Sequence, residues 1–230
     1  MTLPGGEITK RELHFIWIVD CSGSMRDDGK IQSLNYAIRE AIPHMQREAE
    51  NNFQANLLIS ALKFSTGAQW FIPPTKINSF KWIDVDAKGH TDLGQALMLL
   101  SEMLHIPPMT NRGLPPVLVL LSDGQPTDNY EDGLNKLLNE PWGKKAIRIA
   151  IAIGEDANMK VLEKFIGNDE RKPLLARNPE TLSNYIRWVS TVVQSASARP
   201  KSQQKNLEVQ DSNVEIPKPP EVISTATEVW

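Results

Sequence analysis

Two continuous apolar runs in the sequence each lead into an aspartate. The first, "FIWIV", covers residues 15–19 and precedes Asp20, and the second, "VLVLL", covers residues 117–121 and precedes Ser122 and Asp123. Apolar runs without polar alternation are typical of strands buried on both faces, as in a parallel sheet. Because ligands bind at the carboxyl ends of such strands, we expect both aspartates on the same edge of one sheet.

The rest of the chain alternates between strand and helix patterns. Further strands are predicted at 56–64, 69–72, 147–153 and, as a short edge strand, 173–176, and helices are predicted from residue 31 onward and at 91–104, 130–139, 157–165 and 180–195. Pro43 is expected to kink or shorten the first helix. This alternation predicts an α/β fold, a doubly wound, mostly parallel sheet flanked by helices.

Composition divides the chain into three parts. Residues 1–11 form an N-terminal extension, and residues 12–197 carry the strand and helix patterns of a single domain. Residues 198–230 are polar, contain four prolines and show no helical periodicity, so we predict a disordered tail. "VISTATEVW" at its end is alternatively a short docking peptide.

Charge and cysteine content restrict the classes of partner and compartment. The 230 residues carry a formal net charge of −3, which gives no reason to expect nucleic acid or a membrane surface as a partner. A single cysteine, Cys21, excludes an internal disulfide framework and fits a reducing compartment. The N-terminus lacks the features of a signal peptide, and no run approaches the ~20 apolar residues of a membrane span. The expected location is the cytoplasm.

Three loops bring oxygen-bearing side chains to the predicted edge: "DCSGS" from Asp20, "GHTD" around Thr91 and "SDG" around Asp123. Two carboxylates with hydroxyl groups make an all-oxygen donor set, which suits a hard cation. The four histidines and Cys21 are scattered, so no zinc set exists. We therefore expect a Mg²⁺ or Mn²⁺ site with five members: Asp20, Ser22, Ser24, Thr91 and Asp123.

These motifs together resemble the metal-ion-dependent adhesion site (MIDAS) of von Willebrand factor A (VWA) domains. The resemblance covers about residues 12–195 and includes the order of elements, which implies the Rossmann-like VWA fold. It implies that Ser22, Ser24 and Thr91 bind the metal directly, while Asp20 and Asp123 act through water and hydrogen bonds. It also implies that an acidic residue of a partner protein takes the open coordination position, with His90 and Gly124 as candidate contacts to that partner.

Within the family, the chain most resembles small bacterial cytoplasmic members of the tellurite-resistance-associated type. The cues are "KIQSLNYAIREAIPHM", the stretch from "QWFIPP" to "FKW", and "GHTDLGQAL". This resemblance implies a non-enzymatic adaptor in a stress-response signalling complex that works beside a kinase and a phosphatase. The alternative within the family is a protein that recruits substrates to a partner ATPase.

Other interpretations of the same residues stay open. Asp20, Ser22 and Ser24 also suit a capped turn without metal. A haloacid-dehalogenase-like phosphatase would use an aspartate after an apolar strand, although Ser22 stands where its second acid should be. No nucleotide-binding glycine motif and no serine-hydrolase elbow occurs.

Several residues near these motifs have a structural interpretation that we prefer to a functional one. His90 is more simply a loop residue, and Cys21 a buried, inert thiol. Four loop acids are interpreted as solvated side chains rather than a second cation site: Asp27, Asp28, Asp84 and Asp86. Four aromatic residues are interpreted as packed side chains rather than an exposed partner surface: Trp70, Phe71, Phe80 and Trp82.

Overall fold

The computed structural model describes residues 10–52, 55–123, 125–197, 216–220 and 230. Six strands form one sheet in the order β3-β2-β1-β4-β5-β6. All neighbouring pairs are parallel except β2 and β3, which form an antiparallel hairpin. The strands are β1 (Arg11–Asp20), β2 (Ala55–Ser65), β3 (Gly67–Lys76), β4 (Val117–Ser122), β5 (Ile147–Ile153) and β6 (Leu174–Ala176). The predicted mostly parallel α/β fold is confirmed.

Helices cover both faces of the sheet. They are α1 (Lys30–Asn51), α2 (Leu93–Met103), α3 (Tyr130–Asn139), α4 (Pro141–Lys145), α5 (Met159–Ile166), α6 (Pro179–Trp188) and α7 (Gln194–Ser197). On β1, Phe15 and Trp17 pack into the layer that contains α1 and α6, whereas Ile16 and Ile18 pack into the layer of α2, α3 and α5. Because both faces of β1 are buried, its sequence shows a continuous apolar run rather than an alternation.

Pro43 was predicted to kink or shorten the first helix, and it does not shorten it. Helix α1 continues to Asn51, and Pro43 lies on its exposed face. The carbonyl group that loses its helical hydrogen bond to a proline can be solvated at such a position, whereas the buried face, with Ile38, Ala41 and Met45, keeps its packing.

Other boundaries differ modestly from the predicted ones. Strand β3 extends past the predicted end at Ile72 through Pro73 and Pro74, which an edge strand tolerates because one side of it needs no ladder hydrogen bonds. The predicted last helix is interrupted by a π-helical turn at Val189–Val193, and the five-residue helix α4 was not predicted. Phe80 and Trp82 are buried, as expected of anchors in a long loop.

The predicted tail is described only in part, because residues 198–215 and 221–229 lie outside the described residues. Residues 216–220 have no helix or strand, and Ile216 and Trp230 are partly buried against the core layer of α1 and α6. The Trp230 amide donates a 3.0 Å hydrogen bond to the carbonyl oxygen of Arg177. Domain bounds at 12 and 197 remain a prediction.

Over the described ranges, none of the helices combines the length and the apolar character needed to cross a bilayer.

Candidate metal site

The candidate site lies between β1 and β4, where the strand order reverses direction. Strand β1 continues to β2 on one side, and the chain then crosses to β4 on the other. Val19 on β1 pairs with Leu121 on β4, so Asp20 and Asp123 follow at the carboxyl ends of adjacent strands. Both side chains have no solvent-exposed surface. The predicted common edge is therefore observed, at the position where doubly wound sheets bind ligands.

Asp20 is held by hydrogen bonds to both carboxylate oxygens. The Ser22 amide donates to Oδ1 at 2.8 Å, and the Ser122 hydroxyl donates to Oδ2 at 2.5 Å. Burial, followed by the nearby Asp123 carboxylate, raises the pKa of Asp20 to about 6, although these hydrogen bonds oppose the rise. The site thus concentrates negative charge in a poorly solvated place.

The Asp123 carboxylate has the opposite arrangement. Both of its oxygens are buried, and neither has a hydrogen-bond partner among the described residues. Its backbone is fixed, because its carbonyl oxygen accepts a 2.7 Å hydrogen bond from the Asn158 amide. Buried carboxylates are normally paired or bound to a metal, so a cation bound at this edge would satisfy the Asp123 carboxylate.

Two hydroxyl groups lie together in the loop after β1. The Oγ atoms of Ser22 and Ser24 are 3.0 Å apart, and Ser22 is buried whereas Ser24 is partly exposed. Ser22 is the extended residue that precedes a 3-10 helical segment from Gly23 to Gly29, and Ser24 lies in the first turn of that segment. Cys21, which lies between Asp20 and Ser22, packs into the core layer of α1 and α6, where burial raises the pKa of its thiol to about 12. The prediction of a buried thiol is confirmed.

Thr91 lies in the loop before α2 and is 5% exposed. Its amide donates to Thr127 Oγ1 at 3.0 Å, and the Thr127 amide donates back to the Thr91 carbonyl at 2.9 Å. The helix itself begins at Leu93, two residues after Thr91. His90 is exposed, and its amide donates to Thr66 Oγ1.

Backbone hydrogen bonds join the loop of Thr91 to the loop after β1. The Gly23 amide donates to the Gly89 carbonyl at 3.0 Å, and the Lys88 amide donates to the Cys21 carbonyl at 2.7 Å. Gly89 has a φ of +82°, and a Cβ atom there would lie 2.5 Å from Thr66 Oγ1, so only glycine fits. The two hydroxyl-bearing loops are therefore held against each other by main-chain contacts.

The donor set fits a hard divalent cation. Among residues that the structure describes, no group of three or more His, Cys, Asp or Glu side chains could hold a metal. Two carboxylates with serine and threonine hydroxyls are thus the available ligands at this edge, and they are all oxygen. The same finding gives no support to a second cation site among the loop acids, of which Asp84 is paired with Arg39.

Four of the five predicted site residues lie at the adjacent carboxyl ends of β1 and β4. Asp20, Ser22 and Ser24 share one loop, and Asp123 follows the adjacent strand. Thr91 reaches the same edge through its contacts with Thr127. The ligand assignment itself remains a prediction, and Gly124 lies outside the described residues.

Four residues that make hydrogen bonds around the candidate site were not singled out from the sequence. Ser122 orients Asp20, and Thr127 fixes Thr91. Asp92 accepts from the Gly67 amide at 2.7 Å, and Asp128 accepts from the Gly94 and Gln95 amides at the start of α2. Only Ser122 had a sequence signal, since it is a hydroxyl residue in an otherwise apolar strand beside Asp123.

Residues 15–125 match the family model of the von Willebrand factor type A domain, a stretch that begins within β1 and ends after Asp123. The chain contains a von Willebrand factor type A domain. The matched residues include every predicted member of the metal site. No curated protein matches this sequence at a significant level.

Solved structures share the VWA fold at low sequence identity. A von Willebrand factor type A protein from Catenulispora acidiphila is 18% identical with a TM-score of 0.59, over 79% of this chain and 42% of its own. The ArnB paralog VWA2 from Sulfolobus acidocaldarius is 20% identical with a TM-score of 0.56, over 77% and 45%. The chain therefore spans less than half of these relatives' lengths.

Proximal thread matrix protein 1 from the mussel byssus is similar as well. One of its structures has a zinc-occupied MIDAS motif; it is 17% identical with a TM-score of 0.61, over 81% of this chain and 48% of its own. A MIDAS can thus hold a divalent metal in a protein that shares this fold. The family model and these structures give no support to the tellurite-resistance-associated subtype.

Proposed function

We propose that this chain is a metal-dependent protein interaction module that binds an acidic residue of a partner protein through a MIDAS. The observation that carries the proposal is the Asp123 carboxylate, which is fully buried and whose two oxygens have no hydrogen-bond partner among the described residues. It faces an edge where Asp20 adds a second buried carboxylate and Ser22 and Ser24 add two adjacent hydroxyls.

The roles of the residues follow from their hydrogen bonds. Ser22, Ser24 and Thr91 would hold the cation through hydroxyl oxygens, while Asp20 and Asp123 would supply negative charge around it. Asp20 is already engaged by Ser22 and Ser122, which suits an indirect role. When bound, the cation supplies an open coordination position that a carboxylate can occupy. Mg²⁺ or Mn²⁺ is the proposed ion, because every donor is oxygen.

The exposed rim of the site is where a partner would make additional contacts. His90 is exposed beside Thr91, so its side chain can donate to a carboxylate held at the metal. Gly124 is the second proposed contact. We further propose an adaptor role in a bacterial stress-response complex with a kinase and a phosphatase, which rests on the resemblance to the tellurite-resistance-associated type alone. The cytoplasm is the proposed location, which the single cysteine supports.

The test is calorimetric titration of chelator-treated protein with Mg²⁺ and with Mn²⁺, to millimolar metal, with and without acetate. Wild type should bind one divalent ion, and acetate should strengthen that binding because it can occupy the open position. Ser22→Ala/Ser24→Ala should abolish the heat of binding, while the control Thr75→Ala/Ser79→Ala, on the surface at the end of β3, should bind as wild type does. Absence of binding by folded wild type under all conditions would refute the proposal.

An aspartate-nucleophile phosphatase is poorly supported by the geometry. Asp20 has no exposed surface, and both of its oxygens accept hydrogen bonds, so its carboxylate is not free to attack a phosphoryl group. Hydrolysis of p-nitrophenyl phosphate that requires Mg²⁺ and disappears in Asp20→Asn would reverse this conclusion.

A further inference from the structure

Lys30 is a buried charged residue at the edge of the candidate metal site. It is the first residue of α1 and directly follows the 3-10 segment of the first metal-site loop. Only 5% of its side chain is exposed, and its ammonium group contacts Asp156 Oδ1 at 3.1 Å. Lysine is rarely buried to this extent unless it is paired, so the contact with Asp156 is a specific feature of the fold.

Asp156 belongs to the loop between β5 and α5, and that loop holds the backbone of Asp123. The Asn158 amide donates to the Asp123 carbonyl at 2.7 Å, and Gln125 Nε2 donates to the Asp156 carbonyl at 3.1 Å. The Lys30–Asp156 pair therefore connects the loop that carries Ser22 and Ser24 with the loop that fixes Asp123.

Gly154 leaves room for this ion pair. Its φ is +91°, and a Cβ atom at this position would lie 2.6 Å from Asp156 Oδ1 and 2.8 Å from Lys30 Nζ. Its amide donates to the Ala176 carbonyl, so it cannot easily move aside. A side chain at residue 154 would displace the pair without removing either charge.

We infer that Lys30 is a positioning residue for the metal site, acting through Asp156 on the loop that holds Asp123. This inference rests on the proposed function. For Lys30, positioning and direct electrostatics give opposite signs, whereas for Asp156 both would weaken binding, and Gly154→Ala tests positioning with both charges kept. An ammonium group repels a nearby divalent cation, so loss of the charge alone would tighten metal binding. Loss of positioning weakens metal binding, because residues that orient the metal ligands typically contribute 10-fold to 100-fold to metal affinity.

The experiment measures Mn²⁺ affinity by electron paramagnetic resonance of free Mn²⁺ for wild type, Lys30→Met, Asp156→Asn and Gly154→Ala. Each variant should bind about 10-fold more weakly than wild type. The double variant Lys30→Met/Asp156→Asn should be no weaker than the worse of its single variants, because both substitutions break one contact. The Asp156 side chain is 63% exposed, so Asp156→Asn should fold normally. It therefore tests the contact even if Lys30→Met fails to fold.

Two controls match these variants. Lys164→Met removes an exposed lysine that pairs with Glu131, and Gly167→Ala places a Cβ at another left-handed glycine, at the end of α5. Both should bind Mn²⁺ as wild type does. Unchanged or tighter binding in Asp156→Asn and Gly154→Ala overturns the inference. Failure of wild type itself to bind Mn²⁺ would instead refute the proposed function.

Discussion

Ser122, the last residue of β4, donates a 2.5 Å hydrogen bond to Oδ2 of Asp20, the last residue of β1. The end of one central strand thereby fixes the carboxylate at the end of its neighbour. Asp20 and Asp123 are equally buried, yet one is fully engaged by hydrogen bonds and the other has no partner among the described residues. Under the proposed function, a bound cation would satisfy the Asp123 carboxylate.

Ser122→Ala should destabilise the protein by about 1–3 kcal/mol, because a buried carboxylate oxygen loses its donor. The measurement is urea unfolding. Ser60→Ala is the matched control: Ser60 is also a fully buried serine in a central strand, but its hydroxyl has no hydrogen-bond partner within the described part of the chain. That substitution should change the free energy of unfolding by no more than about 0.5 kcal/mol. Equal costs for both would show that the bond to Asp20 contributes nothing specific.

Asp123→Asn should stabilise the metal-free protein and abolish its response to metal. The substitution removes a buried, unpaired charge that lies near the Asp20 carboxylate. At this chain length, about 1 kcal/mol raises the melting temperature by roughly 2–4 °C. Wild type should gain about 2.7 kcal/mol when Mg²⁺ is present at 100 times its dissociation constant. Thermal melts in chelator and in Mg²⁺ measure both effects, and an identical Mg²⁺ response in the two proteins would contradict the prediction.

Acidification should destabilise the protein through His14. Its side chain is buried on β1, and burial lowers its pKa below the ordinary 6.5, although Glu12, 3.9 Å away, opposes the shift. Because the unfolded chain takes up the proton more readily, this contribution to stability is complete above the unfolded-state pKa and is lost as the pH falls below it. Protonation of Asp20, whose pKa is raised to about 6, stabilises both proteins over the same range. Urea unfolding at pH 7.5 and 5.5 should therefore show a change that is more unfavourable in wild type than in His14→Gln. The same change in both would exclude His14 as the cause.

Trp230→Ala should lower the free energy of unfolding by about 1 kcal/mol, because the side chain is half-buried against the core. The Ala176 carbonyl faces β5, so the next carbonyl, that of Arg177, points to the open edge, where the Trp230 amide binds it. That amide should therefore be protected from hydrogen exchange. Tyr36→Ala, at an aromatic residue that is 56% exposed, should change stability by less than about 0.5 kcal/mol. Rapid exchange at Trp230 would show that the contact does not persist in solution.

Cys21 should resist thiol reagents while the protein is folded. It is 3% exposed, and burial raises its pKa to about 12, so almost no thiolate is present at pH 8. Reaction with Ellman's reagent should be at least about 100-fold slower in buffer than in guanidinium chloride. A fast native reaction would reopen a redox role for this residue.

Most of the strands and the first site loop could be predicted from the sequence. Unbroken apolar runs identified β1 and β4, since strands buried on both faces need apolar side chains, and the run of β5 is interrupted only by Arg148. The D-x-S-x-S spacing after β1 placed Asp20, Ser22 and Ser24 together, because residues two apart in one tight loop are neighbours in any fold.

The tertiary structure decided the contacts between distant segments. The bond from Ser122 to Asp20 joins residues 102 positions apart, and the pair of Lys30 and Asp156 joins residues 126 positions apart. These contacts depend on the strand order and register, which no local pattern encodes. Pro43 in α1 has the same explanation: local propensity opposed the helix, whereas packing of its buried face against the core maintained it. Local sequence thus chose which groups each segment carries, and long-range packing chose which of them meet.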